Sequence, residues 1–391
     1  MFAKAASKNG PNRILLGTGG EDSKGIYIAD WNATTGEIGS FTLAAEVSSP
    51  SYLAIYPQGV ERLVYAVSEA GQTDSKLTAS RIASGQKELA EINDVPSNDG
   101  GPTHLAVARD GRTVVCANYV GGSVSSYHVR PDGGLSDCVL HFQFTGSGPY
   151  EGRQKGPHTH SANPTSDEKW VLVNDLGIDR IFIYCLNPTT STMPPSYTFF
   201  WSAKPGSSPR HVVFHPNGKW VYSVNEFTSA VDILKWNSKA GTLTQVGSVS
   251  TLKEGFPENT AFAGEIFCSQ NGRQVYVGNR VADDTIAVFD VDKKTGLLKV
   301  VQLAESSGKI RVISRTIRQR DGSLSQMSVR ETCLCWSATL RLGVSLRRDI
   351  VISSRLSNSR DSSRSGSKEC PKGLEKPRTY VNHYHTPGSS V

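Results

Sequence analysis

The sequence predicts an all-β fold, a β-propeller built of four-stranded antiparallel blades, and three observations carry that expectation. First, a unit of about 50 residues runs five times. It reads PSYLAIYPQGVERLVYAVSE from Pro50, PTHLAVARDGRTVVCANY from Pro102, HTHSANPTSDEKWVLVND from His158, PRHVVFHPNGKWVYSVNE from Pro209 and AGEIFCSQNGRQVYVGNR from Ala263. Self-similarity at this period marks one supersecondary unit used repeatedly. Second, each unit breaks into short apolar runs with turn signals roughly every 8–12 positions, which is a meander pattern and not a βαβ pattern. Third, the best-defined strand recurs six times, at 15–18, 63–68, 114–118, 171–174, 221–225 and 275–279.

The copy from Pro209 shows how one blade is written. HVVF is a short apolar strand, and HPNG is a turn whose Gly218 tolerates positive φ. KWVYSVNE is a second strand, FTSAVDILKW a third after a polar corner, and NSKAGTLTQVGSV supplies a turn and a fourth. One such sheet cannot bury both faces alone, whereas radial packing of copies buries them and leaves only short edges. The first copy, ILLGTGGEDSKGIYIADW, starts midway and lacks a preceding P-x-H-type strand. A ring closed by strands from both ends would explain this, with a last copy near 309–350. Seven blades are therefore expected, and the seventh does not appear in the sequence.

Composition fits a sheet protein: 37% hydrophobic residues, 37 Gly, 19 Pro and 3 Met, with no long helical stripe. The net charge of +6 is not evenly spread. Residues 306–391 hold 16 Lys+Arg and 6 Asp+Glu, leaving 26 Lys+Arg and 30 Asp+Glu before them. The repeat body is mildly acidic, so no nucleic-acid partner is expected for it, and the basic balance belongs to the tail. That tail has no Asp-Gly or Asn-Gly turn followed by a strand and an Asn, and it is rich in Ser and Arg. Two domains are expected: a propeller over 1–308 in about six blades, and an unrelated, disordered tail over 309–391. A reading-frame change or unspliced intron near Lys309 accounts for the break better than a genuine Ser/Arg-rich extension does.

The seven cysteines have no framework spacing, and their odd number suits a reduced compartment. No signal-peptide apolar stretch and no run of 18 apolar residues occurs, so a cytoplasmic chain without a membrane partner is expected. Neither a cofactor nor a metal is expected. His158 and His160, two apart on one strand, share a face and invite a metal reading, but no third ligand lies nearby in the sequence.

The repeat body resembles the seven-bladed propeller lactonases, a family that includes propeller-type 6-phosphogluconolactonases and carboxy-cis,cis-muconate lactonizing enzymes. The resemblance spans about residues 13–308. It rests on GSGPYEGRQKGPHTHS, NDLGIDRIFIY, PRHVVFHPNGKWVYSVNEF and EIFCSQNGRQVYVGNRVADDTIAVFDVD, in that order. GSGP, RQKGPHTH and NDLGIDR favour the phosphogluconolactonase side. The resemblance implies that His160 is the catalytic histidine, with Arg210, Arg280 and Glu226 as its companions. Arg153, His158 and Glu265 fall in matching motifs and are expected in the same cleft as substrate-binding residues. HTHSANPT is a residue shorter between histidine and proline than HVVFHP, so that strand is expected either to bulge or to reseat His160.

These residue types suit lactone hydrolysis. A histidine near neutrality can move a proton, with a carboxylate to orient it or share that role. Arginines can hold an oxyanion or an anionic substituent. Each residue also has a plainer reading: Arg210 or His211 pairing with a neighbouring blade, Glu226 as a solvated corner, Arg280 paired to Asp283 or Asp284. Asn118, Asn174, Asn225 and Asn279 recur once per repeat and read as turn or inter-blade hydrogen-bonders. The expected activity is lactone hydrolysis on a small anionic lactone such as 6-phosphogluconolactone. The alternatives are a carboxymuconate cycloisomerase on the same scaffold, or a truncated, inactive propeller serving only as a binding module.

Overall fold

The computed structural model describes residues 12–18, 24–31, 38–58, 61–69, 74–187, 189–257, 259–281 and 283–305, and the backbone of 324–329. Six four-stranded sheets form. The first holds β1 (Asn12–Thr18), β2 (Gly25–Trp31) and β3 (Thr42–Glu46). The second holds β4 (Tyr52–Gln58), β5 (Glu61–Ser68), β6 (Lys76–Ala83) and β7 (Ala90–Pro96). The third holds β8 (Pro102–Val107), β9 (Thr113–Asn118), β10 (Ser123–Val129) and β11 (Leu135–Gln143). The fourth holds β12 (Thr159–Pro164), β13 (Trp170–Asp175), β14 (Arg180–Cys185) and β15 (Phe199–Ser202). The fifth holds β16 (Pro209–Phe214), β17 (Trp220–Asn225), β18 (Ala230–Asn237) and β19 (Thr242–Ser250). The sixth holds β20 (Ala261–Cys268), β21 (Gln274–Val281), β22 (Thr285–Val291) and β23 (Leu298–Glu305).

The second to sixth sheets are antiparallel meanders, as the repeat predicts. The first sheet departs from that pattern. Its fourth place is taken by β24 (Leu324–Val329), which runs parallel to β1. A hairpin forces its second strand to reverse, but a strand arriving from far along the chain is free to run either way. Among the described residues there are six sheets and not seven. Apart from β24, the tail lies outside the described residues.

Each sheet packs on the next through a shared apolar core. Val114 and Cys116 of β9 face the second sheet, with Tyr65 and Val67. Val115 and Ala117 of the same strand face the fourth, with Val171 and Val173. This two-sided burial explains why the second strand of each repeat is nearly continuously apolar and alternates only in part. The packing repeats from the first sheet to the sixth. At the two ends of the series the cores are small and separate: Ile14, Leu16 and Trp31 in the first sheet, Tyr276 and Val288 in the sixth. Polar ties also cross between sheets. The hydroxyls of Tyr65 and Tyr222 donate to the Gly133 and Gly296 carbonyls of the following sheets. Asn118 Nδ2 reaches back to the Ser97 carbonyl and Asn279 Nδ2 to that of Thr251, an inter-blade role of the kind the recurring asparagines suggest.

One turn gives a local test. Gly111, Gly218 and Gly272 take φ of 74°, 69° and 66° between the first two strands of their sheets. The fourth sheet has Glu168 there, at φ 60° and with the same turn hydrogen bond. An L-residue in this region is strained by about 1–2 kcal/mol, partly offset by the chain entropy that glycine gives up. Glu168→Gly is therefore expected to stabilise the protein by about 0.5–1 kcal/mol in a denaturant titration. Among the described residues no helix is long and apolar enough to cross a membrane.

Candidate active site

The first strands of the second to sixth sheets run side by side. Four of them break register at the same level. Thr103 is skipped in β8, His160 in β12, Arg210 in β16, and Gly264 and Glu265 in β20. A bulge re-aims the extra side chain, and that is how one point of each repeat comes to face a common cleft. The bulge at His160 is present, and it belongs to a feature shared by four sheets. His158, just before β12, stacks on Tyr119 at 4.7 Å between ring centroids with its Nδ1 2.9 Å from the Tyr119 carbonyl, and His160 meets the same ring edge-on at 5.4 Å.

The cleft has a volume of about 160 Å³. His160, Arg210, Glu226, Arg280 and Arg153 all line it, joined by Tyr52, Glu69, Thr103, Tyr119 and His211. Three guanidiniums converge on the Glu226 carboxylate. Arg153 Nη2 donates to Oε1 at 2.8 Å, Arg210 Nε to Oε2 at 3.0 Å, and Arg280 Nη2 to Oε2 at 2.5 Å. Glu226 follows β17 and is 1% exposed, so it is not a solvated corner, and Arg280 reaches it. Burial alone would push this carboxyl up, but Arg280, Arg210 and Arg153 outweigh it and hold the group below its usual range. Burial, then Arg280, pull Arg210 down to about 10 against the opposing pull of Glu226. At neutral pH the cluster is three cations around one anion. Arg210 Nη1 is buried there with no hydrogen-bond partner.

Arg153 is the most exposed of the three, its side chain 42% accessible. It lies on the long connection between β11 and β12, held by the Tyr119 hydroxyl at 3.0 Å and by the Phe227 ring, 5.0 Å from its guanidinium carbon. Beside the arginines, His160 Nδ1 lies 3.0 Å from His211 Nε2, and His211 Nδ1 lies 3.0 Å from Glu265 Oε1. Burial, followed by the charges of Arg210, His211 and Arg280, depresses the His160 pKa well below the ordinary imidazole value. Its ring is neutral at pH 7. Chemically, the cleft offers a neutral imidazole for proton transfer next to an excess of guanidinium donors for anionic oxygens.

Of the seven residues singled out from the sequence, five line the cleft. His158 sits beside it on Tyr119, and Glu265 stands behind His211. His211, which the sequence marks only as a partner for a neighbouring blade, also lines the cleft. The signal for it was present, since P-x-H opens both PTHLAV and PRHVVF, and His104 and His211 come together with ring centroids 5.3 Å apart. Among the described residues no group of three or more His, Cys, Asp or Glu side chains is placed to hold a metal ion.

Comparison with known proteins accords with this geometry. The 6-phosphogluconolactonase of Bacillus subtilis is 33% identical over 287 residues, covering 73% of this chain and 79% of that protein. The structure of a putative 6-phosphogluconolactonase from Bacteroides fragilis superposes with a TM-score of 0.70 at 31% identity, over 77% of this chain and 84% of that one. The Pseudomonas aeruginosa periplasmic gluconolactonase gives a TM-score of 0.69 at 28% identity, over 77% and 85%. The family model described as Lactonase, 7-bladed beta-propeller, matches residues 13–319. With sheet-by-sheet architecture and sequence in agreement, this chain belongs to the seven-bladed β-propeller lactonase family.

Proposed function

We propose that this lactonase hydrolyses sugar lactones bearing an anionic substituent, 6-phosphogluconolactone foremost, with His160 as general base and Arg153, Arg210 and Arg280 as anion ligands. The observation that carries the reading is the convergence of three guanidiniums on one buried carboxylate beside a neutral imidazole. Water attacks the lactone carbonyl carbon as His160 removes its proton. The carbonyl oxygen becomes an oxyanion, stabilised by guanidinium N–H donors already in place around the cleft. The imidazolium then returns the proton to the ring oxygen as the C–O bond breaks, and the hydroxy acid formed releases its carboxyl proton to solvent and leaves as its carboxylate. Glu226 keeps the arginines from flying apart and fixes their directions. Arg210 Nη1, with no protein acceptor, is available for a substrate oxygen. Arg153, nearest to solvent, takes the remote anionic group.

The architectural part of the reading is a seven-bladed ring that lacks its last blade. The separate apolar faces of the first and sixth sheets support it, as does the family's seven-bladed description.

The test compares kcat/KM for 6-phosphogluconolactone and glucono-1,5-lactone, corrected for spontaneous hydrolysis. A charge-assisted hydrogen bond contributes about 1.5–3 kcal/mol, so a preference of roughly 10–10²-fold for the phosphorylated lactone is expected. Arg153→Met is expected to lower kcat/KM about tenfold more for the phosphorylated substrate than for the other. Equal turnover of both sugar lactones, or turnover of a carboxymuconolactone in their place, would reject the proposal.

A further inference from the structure

His211 and Glu265 are both buried beside His160 and touch no reacting atom in the hydrolysis described. We propose that Glu265 and His211 act as a positioning relay that locks His160 in its Nδ1–H tautomer and so presents Nε2 as the base. The inference rests on His160 being that base.

The hydrogen-bond logic runs in one direction. An ionised carboxylate only accepts, so with Glu265 Oε1 at 3.0 Å and Oε2 at 2.9 Å, His211 Nδ1 must carry the proton. A neutral His211 ring then has a bare Nε2. That atom lies 3.0 Å from His160 Nδ1, so the bond exists only if His160 Nδ1 is the donor. His160 Nε2 is left with its lone pair. Each step leaves one protonation pattern, because a neutral imidazole has one donor and one acceptor.

The three members come from β20, β16 and β12, each at or next to a register break. Their rings are held by packing. His104 and Tyr52 lie against His211 with centroids 5.3 and 6.3 Å away, and Tyr119 presents its edge to His160 at 5.4 Å. The charged and titratable groups around the pair are Arg210 of β16, Arg280 of β21, Glu226 after β17, Arg153 before β12, Glu265 of β20 and Glu69 after β5, with the His104 ring beside His211 and the His158 ring beside Tyr119. Arg210 and Arg280 oppose a positive charge on His160. When Nε2 takes the proton from water, the Glu265 charge, one ring away, offsets that opposition. No proton needs to leave His211 for this to work.

The experiment pairs kinetics with a spectroscopic measurement. His211→Phe keeps a ring but removes the acceptor, and kcat is expected to fall about 10²-fold with KM within threefold. Glu265→Gln keeps an acceptor but removes the charge. It is expected to lower kcat about tenfold and move the acid limb of the pH profile to lower pH, a displacement that loss of packing would not produce. In the wild-type protein, 15N imidazole spectra are expected to show Nδ1–H tautomers for both His160 and His211. This decides the matter even if His211→Phe fails to fold. An Nε2–H tautomer on either ring overturns the relay, as does a folded His211→Phe with wild-type kcat and acid limb. An active His160→Ala removes the base and the relay together, whereas a wild-type His211→Phe beside an inactive His160→Ala removes the relay alone.

Discussion

His160→Ala lowers kcat for lactone hydrolysis by about 10²–10⁴-fold, the range for removing a general base, while the protein stays folded. The substitution deletes the imidazole in the cleft and leaves the guanidinium–carboxylate cluster intact, so substrate binding changes far less than turnover. The pH profile of the wild-type protein checks the same assignment. Burial, then Arg210, His211 and Arg280, hold the His160 pKa well below 6.5. The base form is therefore present at neutral pH and is lost only as pH falls through that depressed value. kcat/KM should be flat through neutrality, with its acid limb clearly below pH 6.5. Stability carries the same sign. Below 6.5 the unfolded chain protonates at His160 and the folded protein does not, so this contribution is full above 6.5 and declines as pH falls. Glu226, also depressed, adds a second acid loss that begins below the ordinary glutamate range and completes as pH falls through its lowered value. A limb at or above pH 6.5, or undiminished turnover in the alanine variant, would count against His160 as the base.

Glu226→Gln is expected to destabilise the protein by about 3–5 kcal/mol and to abolish activity. The amide keeps the shape of the side chain but removes the anion that three guanidiniums share, at 2.8 Å for Arg153, 3.0 Å for Arg210 and 2.5 Å for Arg280. Arg210 is 3% exposed and cannot turn to water for compensation. Uncompensated buried charge is among the few causes of point-mutant losses this large. Inorganic phosphate should recover part of the loss, because an anion in the cleft takes the place of the missing carboxylate. Melting temperatures of wild type and variant, with and without phosphate, supply the check. A variant as stable as wild type, or one indifferent to phosphate, would show that the arginines do not depend on Glu226.

The blade was legible because its signals are local. Strand, Asn-Gly or Asp-Gly turn and strand lie within about 20 residues of one another, and burial on both faces writes the second strand as a continuous apolar run. His160, Arg210, Glu226 and Arg280 were legible through their place in family motifs, not through chemistry visible in the sequence. The register breaks at Thr103, His160, Arg210 and Glu265 were not legible, because β12 and β16 break at the same level although their histidine-to-proline spacings differ. The pairing of Glu265 with His211 joins the fifth and sixth sheets, which no motif within one repeat records.

By itself, then, the sequence determined the repeat, the four-stranded antiparallel blade and the residue types available to the site, since each depends on contacts near in the chain. Only the tertiary structure decided that β24 would lie parallel to β1, that three arginines would share one glutamate, and that His211 would join Glu265 to His160. Those arrangements join residues from about 16 to more than 300 positions apart, most of them on different sheets. Distances of 3 Å between such residues follow from how sheets pack and where strands bulge, which no pattern along a single strand records.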